Sequence, residues 1–145
     1  MFKHILIPTD GSDLSEDAVK YGISLAKAVN AKVTGITVYA VHPDMLTETP
    51  ESCKKRMTTN AMKYLEQVKD AAKAGVVCDT VQVEHEHPFQ AIIEAAKSKG
   101  CDLIVMASHG RRGVSAIVPG SETLKVLTHS TIPVLVYRGW RPTLL

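Results

Sequence analysis

The sequence has few cysteines, and their arrangement narrows the class of protein. Cys53, Cys78 and Cys101 stand far apart, and no two of them form a Cys-x-x-Cys pair. An odd number of cysteines at this spacing argues against both a disulfide framework and a zinc site. We therefore expect a cytoplasmic protein with reduced thiols and no metal site of its own.

Long hydrophobic runs and a strong excess of one charge are also absent. No stretch of 18 apolar residues occurs, so we expect no membrane-spanning helix. The first eight residues enter a strand pattern directly, which is unlike a signal peptide. The formal net charge is only +2, so the sequence lacks the basic excess that is typical of nucleic-acid-binding domains. We expect neither a membrane nor a nucleic acid as partner.

Two common nucleotide motifs are missing. The sequence contains no Gly-x4-Gly-Lys-Ser/Thr motif, so it is not a P-loop protein, and it has no Gly-x-Gly-x-x-Gly dinucleotide fingerprint. The length of 145 residues suits one domain. We expect a single domain over residues 1–145, with residues 137–145 as a short C-terminal tail.

Hydrophobic periodicity predicts strands and helices in strict alternation. The predicted strands cover 5–7, 33–41, 76–84, 102–107 and 132–136, and the predicted helices cover 13–30, 57 to about 75, 88–98 and 121–129. Residues 43–50 are predicted to be a loop. Such alternation favours an open, doubly wound, Rossmann-like α/β fold, with a five-stranded parallel sheet and helices on both faces. We expect the strand order 3-2-1-4-5, which makes strands one and four neighbours.

A loop rich in small residues separates the fourth strand from the fourth helix, over 107–113 and 120–123. Backbone amides in such a loop approach an anion closely, and the helix dipole favours negative charge there. Asp10 follows the first strand and offers a carboxylate for ribose hydroxyls. Together the two loops predict a nucleotide site, although Asp10 as a turn or cap residue and glycines serving turn geometry alone remain open alternatives.

Histidines offer weaker signals. His109 lies in the small-residue loop, where it is either a contact for phosphate, a general base or a side chain that packs on its own turn. His85 and His87 share one face of a strand end, so a metal site is conceivable. A solvated strand end is the favoured interpretation of that pair. No nucleophile with a base and an orienting partner follows from the spacing.

The sequence resembles the universal stress protein family in its short single-domain form. The similarity covers essentially the whole chain and includes the segments 5–12, 102–106 and 132–136. Its most specific part is the family's nucleotide loop: glycine, two residues, a second glycine, nine residues, then glycine followed by serine or threonine. Gly110 matches the second glycine, and Gly120 with Ser121 closes the loop.

The resemblance implies a role for each matching position. Asp10 would meet the ribose or the adenine edge, and Ala40 would contact adenine through its backbone. The residues expected to line the pocket for base and sugar are Pro8, Thr9, Met106 and Ala107. The residues expected around the phosphates are His109, Gly110, Arg111, Arg112, Gly113, Gly120, Ser121, Glu122 and Thr123. The two arginines are as well explained as solvated loop residues.

By the same resemblance, the protein would be a stress-response protein that binds ATP, with Mg²⁺ as its companion, and hydrolyses it slowly at most. A homodimer would form through strand 132–136. Two departures from the family pattern support an alternative function. Ala107 stands where the family has the first glycine, and Pro119 precedes Gly120. The alternative is a dimeric interaction protein of the same fold that binds no nucleotide.

Overall fold

The computed structural model describes residues 1–73, 75–110 and 120–139. Strands and helices alternate along these residues, as the hydrophobic periodicity predicts. The strands are β1 (His4–Pro8), β2 (Lys32–Tyr39), β3 (Cys78–Glu84), β4 (Leu103–Ala107) and β5 (Val134–Tyr137). The helices are α1 (Asp13–Val29), α2 (Pro50–Ala72), α3 (Pro88–Ser98) and α4 (Ser121–His129).

The five strands form one parallel sheet in the order β3-β2-β1-β4-β5. One core cluster joins alternate strand residues, such as Ile5 and Val105, to α1 and α2. A second cluster joins Leu6 and Ile104 to α3 and α4 on the other face. Two apolar faces require helices on both sides of the sheet, so the predicted doubly wound fold and its strand order are confirmed. None of the helices in the described ranges is long and apolar enough to cross a bilayer.

Several predicted boundaries are wrong. Helix α2 begins at Pro50, seven positions before the predicted start, because Thr49 caps it through a 3.1 Å bond from the Ser52 amide. The first turns of α2 carry mostly charged side chains, so the sequence shows no apolar period over these turns. Strand β2 ends at Tyr39 and leaves Ala40 outside it. Strand β3 starts at Cys78 rather than at residue 76.

Strand β5 is also displaced from its predicted range of 132–136. It runs from Val134 to Tyr137, and Tyr137 pairs with Ala107. Pro133 has no amide hydrogen to donate and lies before the strand, although its carbonyl accepts from the Ile104 amide at 2.9 Å. Tyr137 therefore belongs to the sheet and not to the predicted tail, and residues 140–145 of that tail lie outside the described residues.

The strands end at different heights along the carboxyl edge of the sheet. Pro8, the last residue of β1, pairs with Ile36, whereas β2 continues to Tyr39 and pairs there with Glu84 of β3. At about 3.3 Å per residue, β2 and β3 extend about 10 Å beyond β1. The sheet edge therefore has a step between β2 and β1.

His4 in β1 is a buried ionisable side chain whose titration couples pH to stability. It is 7% exposed, and its Nε2 lies 2.7 Å from Thr34 Oγ1. Burial, and then the charge of Lys32, lower the pKa of His4 below its ordinary value of 6.5. The unfolded chain therefore binds more protons than the folded chain at mildly acidic pH.

The free energy of unfolding is expected to decrease as pH falls through about 6.5, because protonation favours the unfolded chain. A His4→Gln variant keeps a polar group near Thr34 but does not titrate, so it should lose this part of the pH dependence. Urea unfolding at several pH values measures the effect. His87→Gln at an exposed position is the control and should retain the dependence. An unchanged pH profile in His4→Gln would contradict the prediction.

Candidate functional site

The candidate site lies at the carboxyl ends of β1 and β4, which are neighbours in the sheet. Strands β2 and β3 are added on one side of β1, and the chain then crosses to the other side of β1, where β4 and β5 lie. The order in which strands are added therefore reverses between β1 and β4. Ligands of open α/β sheets bind in the crevice at this reversal. The loops that meet there are 9–12 after β1 and 108–110 after β4.

Buried hydrogen bonds fix the loop after β1. The Thr9 amide donates to Ile36 O at 2.9 Å, and Thr9 O accepts from Thr37 Oγ1 at 2.9 Å. Asp10 Oδ1 accepts from the Ser12 amide at 3.0 Å. Ser12 then caps α1, because its side chain accepts from the Ser15 amide at 3.3 Å. Asp10 therefore acts as a turn residue, which is one of the open alternatives for this position.

The two loops touch at Asp10 and Gly110. A Cβ atom added at Gly110 would collide with Asp10 Oδ2. The absence of a side chain at Gly110 therefore lets the carboxylate lie directly against the backbone of the loop that follows β4. The structure brings these two predicted site residues together across the reversal of strand order.

The start of α4 forms the next part of the site. Gly120 is the N-cap residue of the helix, and glycine has no side chain that could cap it. The Gly120 amide was expected to face a phosphate, but it donates to Ser108 O at 2.7 Å. The amides of Ser121, Glu122 and Thr123 belong to the first turn, where helices have no internal acceptors. These three amides are the ones that this turn can offer to an anion.

The Glu122 side chain points to a neighbouring helix. Its Oε2 accepts from the Phe89 amide at 2.9 Å, so Glu122 caps the beginning of α3. Lys125 Nζ lies 3.7 Å from the other carboxylate oxygen. The Glu122 carboxylate is thus held by α3 and Lys125, which leaves the backbone amide of Glu122 as its group at the first turn of α4.

Replacing Glu122 by alanine is expected to lower the free energy of unfolding by about 1 kcal/mol, because the Phe89 amide loses its acceptor. Glu122→Gln keeps an acceptor oxygen and should lose less. Urea unfolding measures both effects. Glu94→Ala, at an exposed position of α3, is the matched control. Equal losses for Glu94→Ala and Glu122→Ala would show that the cap contributes nothing.

Thr123 ties α4 to the end of β4. It is 3% exposed, and its Oγ1 donates to Ala107 O at 2.9 Å. Met106 and Ala107 are themselves buried, at 6% and 8% exposure. The predicted hydroxyl contact of Thr123 with a phosphate therefore competes with a structural bond, while Met106 and Ala107 form the floor beneath the two loops.

Some of the remaining predicted positions lie within the described residues, and others lie outside them. Pro8 and Ala40 are half-buried at the ends of β1 and β2. His109 Nδ1 lies 3.2 Å from Ser108 Oγ. Arg111, Arg112 and Gly113 lie outside the described residues. His85 Nδ1 accepts from the His87 amide at 2.9 Å, and no group of three or more metal-binding side chains occurs in the part of the chain that the structure describes.

Tyr64 of α2 is a residue of the site that sequence reasoning missed. A Cβ atom added at Gly11 would collide with the Tyr64 ring, so the ring packs on the backbone next to Asp10. In the sequence Tyr64 is one of several apolar positions on the buried face of α2. Its contact with a loop 53 positions earlier leaves no local signal.

The architecture and this edge define a doubly wound α/β protein in which the loops after β1 and β4 meet where the strand order reverses. The chain belongs to the universal stress protein family, whose model matches residues 1–138. Universal stress protein MJ0531 of Methanocaldococcus jannaschii is 35% identical in an alignment 142 residues long that covers 95% of this chain and 83% of that protein. The predicted family is confirmed.

Two solved structures share the fold over nearly the whole chain. The structure of the protein MJ0577 has a TM-score of 0.81 at 29% identity and covers 94% of this chain and 96% of that chain. A universal stress protein solved in complex with cAMP has a TM-score of 0.71 at 28% identity, with coverages of 93% and 96%. The second of these proteins holds an adenine nucleotide.

Proposed function

We propose that the protein binds ATP at the carboxyl ends of β1 and β4 and acts in the stress response. The observation that carries the proposal is the position of the Asp10 carboxylate against Gly110. A side chain at position 110 would fill this space, so the loop after β4 is shaped to approach an acceptor group closely. The cAMP complex of a related protein supports an adenine nucleotide as the ligand.

Charge and hydrogen-bonding capacity at this edge suit the two ends of a nucleotide. Gly120, the N-cap residue of α4, has no side chain to cap the first turn, and the amides and helix dipole of that turn favour a phosphate. The Asp10 carboxylate lies against Gly110, and carboxylate oxygens are acceptors of the kind that bind ribose hydroxyls. ATP would therefore lie with its phosphates towards α4 and its ribose towards Asp10.

Mg²⁺ would enter with the nucleotide. It prefers oxygen ligands and retains several water molecules, so it is commonly held by substrate phosphates with one or two carboxylates. The described ranges contain no group of three metal-binding side chains. The described residues fit an ion that the phosphates carry.

Hydrolysis of ATP is expected to be slow at most. Efficient hydrolysis needs a general base with a partner that orients it. Among the described residues, the hydrogen-bond partner of the His109 ring is the Ser108 hydroxyl, at 3.2 Å, and not a carboxylate. Binding is therefore better supported than catalysis.

Calorimetric titration of nucleotide-free protein with ATP and Mg²⁺ tests the proposal. Asp10→Ala is expected to weaken binding about tenfold, since it removes a charged acceptor. Asp79→Ala removes the same charge from an exposed position at the amino end of β3 and should leave the affinity unchanged. No heat at about millimolar ATP, where binding contributes about 4 kcal/mol, would refute ATP binding. Equal affinity in Asp10→Ala would remove the role of Asp10.

A homodimer through β5 is a second proposal, and it stands with or without a nucleotide. Strand β5 lies at the edge of the sheet, and Leu124 and Leu127 of the adjacent α4 are 51% and 41% exposed. An open edge strand pairs readily with a second copy. Light scattering should give the mass of a dimer, and Val136→Pro should reduce it by removing a strand amide. A monomer at high protein concentration would refute the dimer.

The internal bonds of Gly120 and Thr123 favour the alternative of a dimeric interaction protein without a nucleotide. The calorimetric titration separates the two functions, because only the first predicts heat with ATP. A cytoplasmic location is part of either function. All three cysteines are free, as is usual in a reducing compartment.

A further inference from the structure

The Tyr64 ring contacts the loop that carries Asp10, and the contact is at Gly11. Gly11 has a φ of +78°, and the space next to its Cα is occupied by the Tyr64 ring. Glycine adopts positive φ without strain and also leaves it without strain. Within the loop the Gly11 amide donates to Thr9 Oγ1 at 3.2 Å, and the Tyr64 ring adds support from outside the loop, from α2.

The hydrogen bonds around Gly11 hold the loop at its two ends. Thr9 is anchored to β2 through Ile36 and Thr37. On the other side, Ser12 belongs to the cap of α1. The bond from Ser12 to Asp10 spans Gly11, so the direction of the carboxylate depends on the dihedral angles of this glycine. Tyr64 packs on Gly11, the residue between these anchors whose dihedral angles set that direction.

The surroundings of Tyr64 are those of a residue that supports a neighbouring loop and not those of a core residue. Helices α1 and α2 enclose an open groove of about 400 Å³, with Thr9 and Tyr64 among its lining residues. The Tyr64 side chain is half-buried there. Shortening Tyr64 would widen a groove that is already open to solvent, so a folded variant is expected. The same change would free the side of Gly11 that the ring now covers.

We propose that Tyr64 is a positioning residue, which holds Gly11 in place and keeps the Asp10 carboxylate directed at Gly110 and at the ribose hydroxyls of a bound nucleotide. This inference rests on the proposed function. Its consequence is specific: Tyr64 controls how strongly the protein prefers a ribonucleotide over an analogue without ribose hydroxyls, and it does so through Gly11 and Asp10.

The experiment compares ATP with 2′,3′-dideoxy-ATP by calorimetry, using the full chain. Wild-type protein is expected to prefer ATP by about tenfold, the amount typical of a hydrogen bond to a charged group. Asp10→Ala should abolish the preference. Tyr64→Ala should reduce it at least threefold, whereas Tyr64→Phe retains the ring and should preserve it. In an Asp10→Ala background, Tyr64→Ala should have no additional effect on the preference.

Tyr21→Ala is the matched control for loss of an aromatic side chain, because Tyr21 of α1 packs on Tyr137 with ring centroids 5.5 Å apart. It should leave the preference unchanged. Tyr64→Leu replaces Tyr64→Ala if the alanine variant does not fold. A full preference in folded Tyr64→Ala and Tyr64→Leu overturns the inference alone. A wild-type protein without affinity for ATP, or without a contribution from Asp10, overturns the proposed function as well.

Discussion

A Gly110→Ala variant is expected to lose at least tenfold in affinity for ATP while it retains the fold. The added methyl group would occupy the position of Asp10 Oδ2, so the carboxylate must turn away from the loop after β4. Gly110 is exposed and its φ is not positive, so the backbone itself tolerates alanine. Calorimetry measures the loss, and far-ultraviolet circular dichroism checks the fold.

A double-mutant cycle with Asp10→Ala makes this prediction specific. Without the carboxylate, the methyl group at position 110 has no oxygen to displace, so Gly110→Ala should cost little in the Asp10→Ala background. The two changes should therefore be strongly non-additive in the free energy of binding. Additive effects would indicate that the loops act independently and that the contact between Asp10 and Gly110 has no part in binding.

An Ile104→Ala variant is expected to show the largest loss of stability, about 2–5 kcal/mol. Ile104 has no exposed surface and lies in β4, between β1 and β5. It packs in the cluster that faces α3 and α4, so the cavity left by alanine is enclosed on all sides. Chemical denaturation followed by circular dichroism measures the change.

Leu46→Ala is the matched control for Ile104→Ala. Leu46, between β2 and α2, is 95% exposed, and substitutions at such positions usually change stability by less than about 0.5 kcal/mol. The difference between the two variants measures burial in the sheet rather than loss of a branched side chain as such. Similar losses in both would contradict the assignment of Ile104 to the core.

The sequence predicted the fold well because each strand and helix is marked by local pattern. The range of α4 was predicted without error, since Gly120 marks the start of the helix and an apolar period of three to four residues follows it. The start of α2 was missed because its first turns are charged on nearly every side and only Cys53 there is buried. Thr49 followed by Pro50 was the available signal, as a cap and a first-turn proline.

The candidate site was predicted less completely, because its residues depend on contacts between distant segments. The family motif indicated Asp10 and Gly110 as separate positions, but their direct contact follows from the pairing of β1 with β4. Glu122 was expected near a phosphate, yet its side chain bonds to Phe89, 33 positions away. No periodicity or spacing encodes such a contact.

The step along the sheet edge has a consequence for the orientation of a ligand. Strands β2 and β3 rise above β1 on one side of the crevice, and α4 begins on the other side. For the proposed nucleotide, the taller side among the described residues offers a wall to a flat aromatic base, while the start of α4 attracts anionic groups on the opposite side. Substitutions at Asp10 or Gly110 would then alter how tightly the proposed nucleotide is held but not which way round it lies.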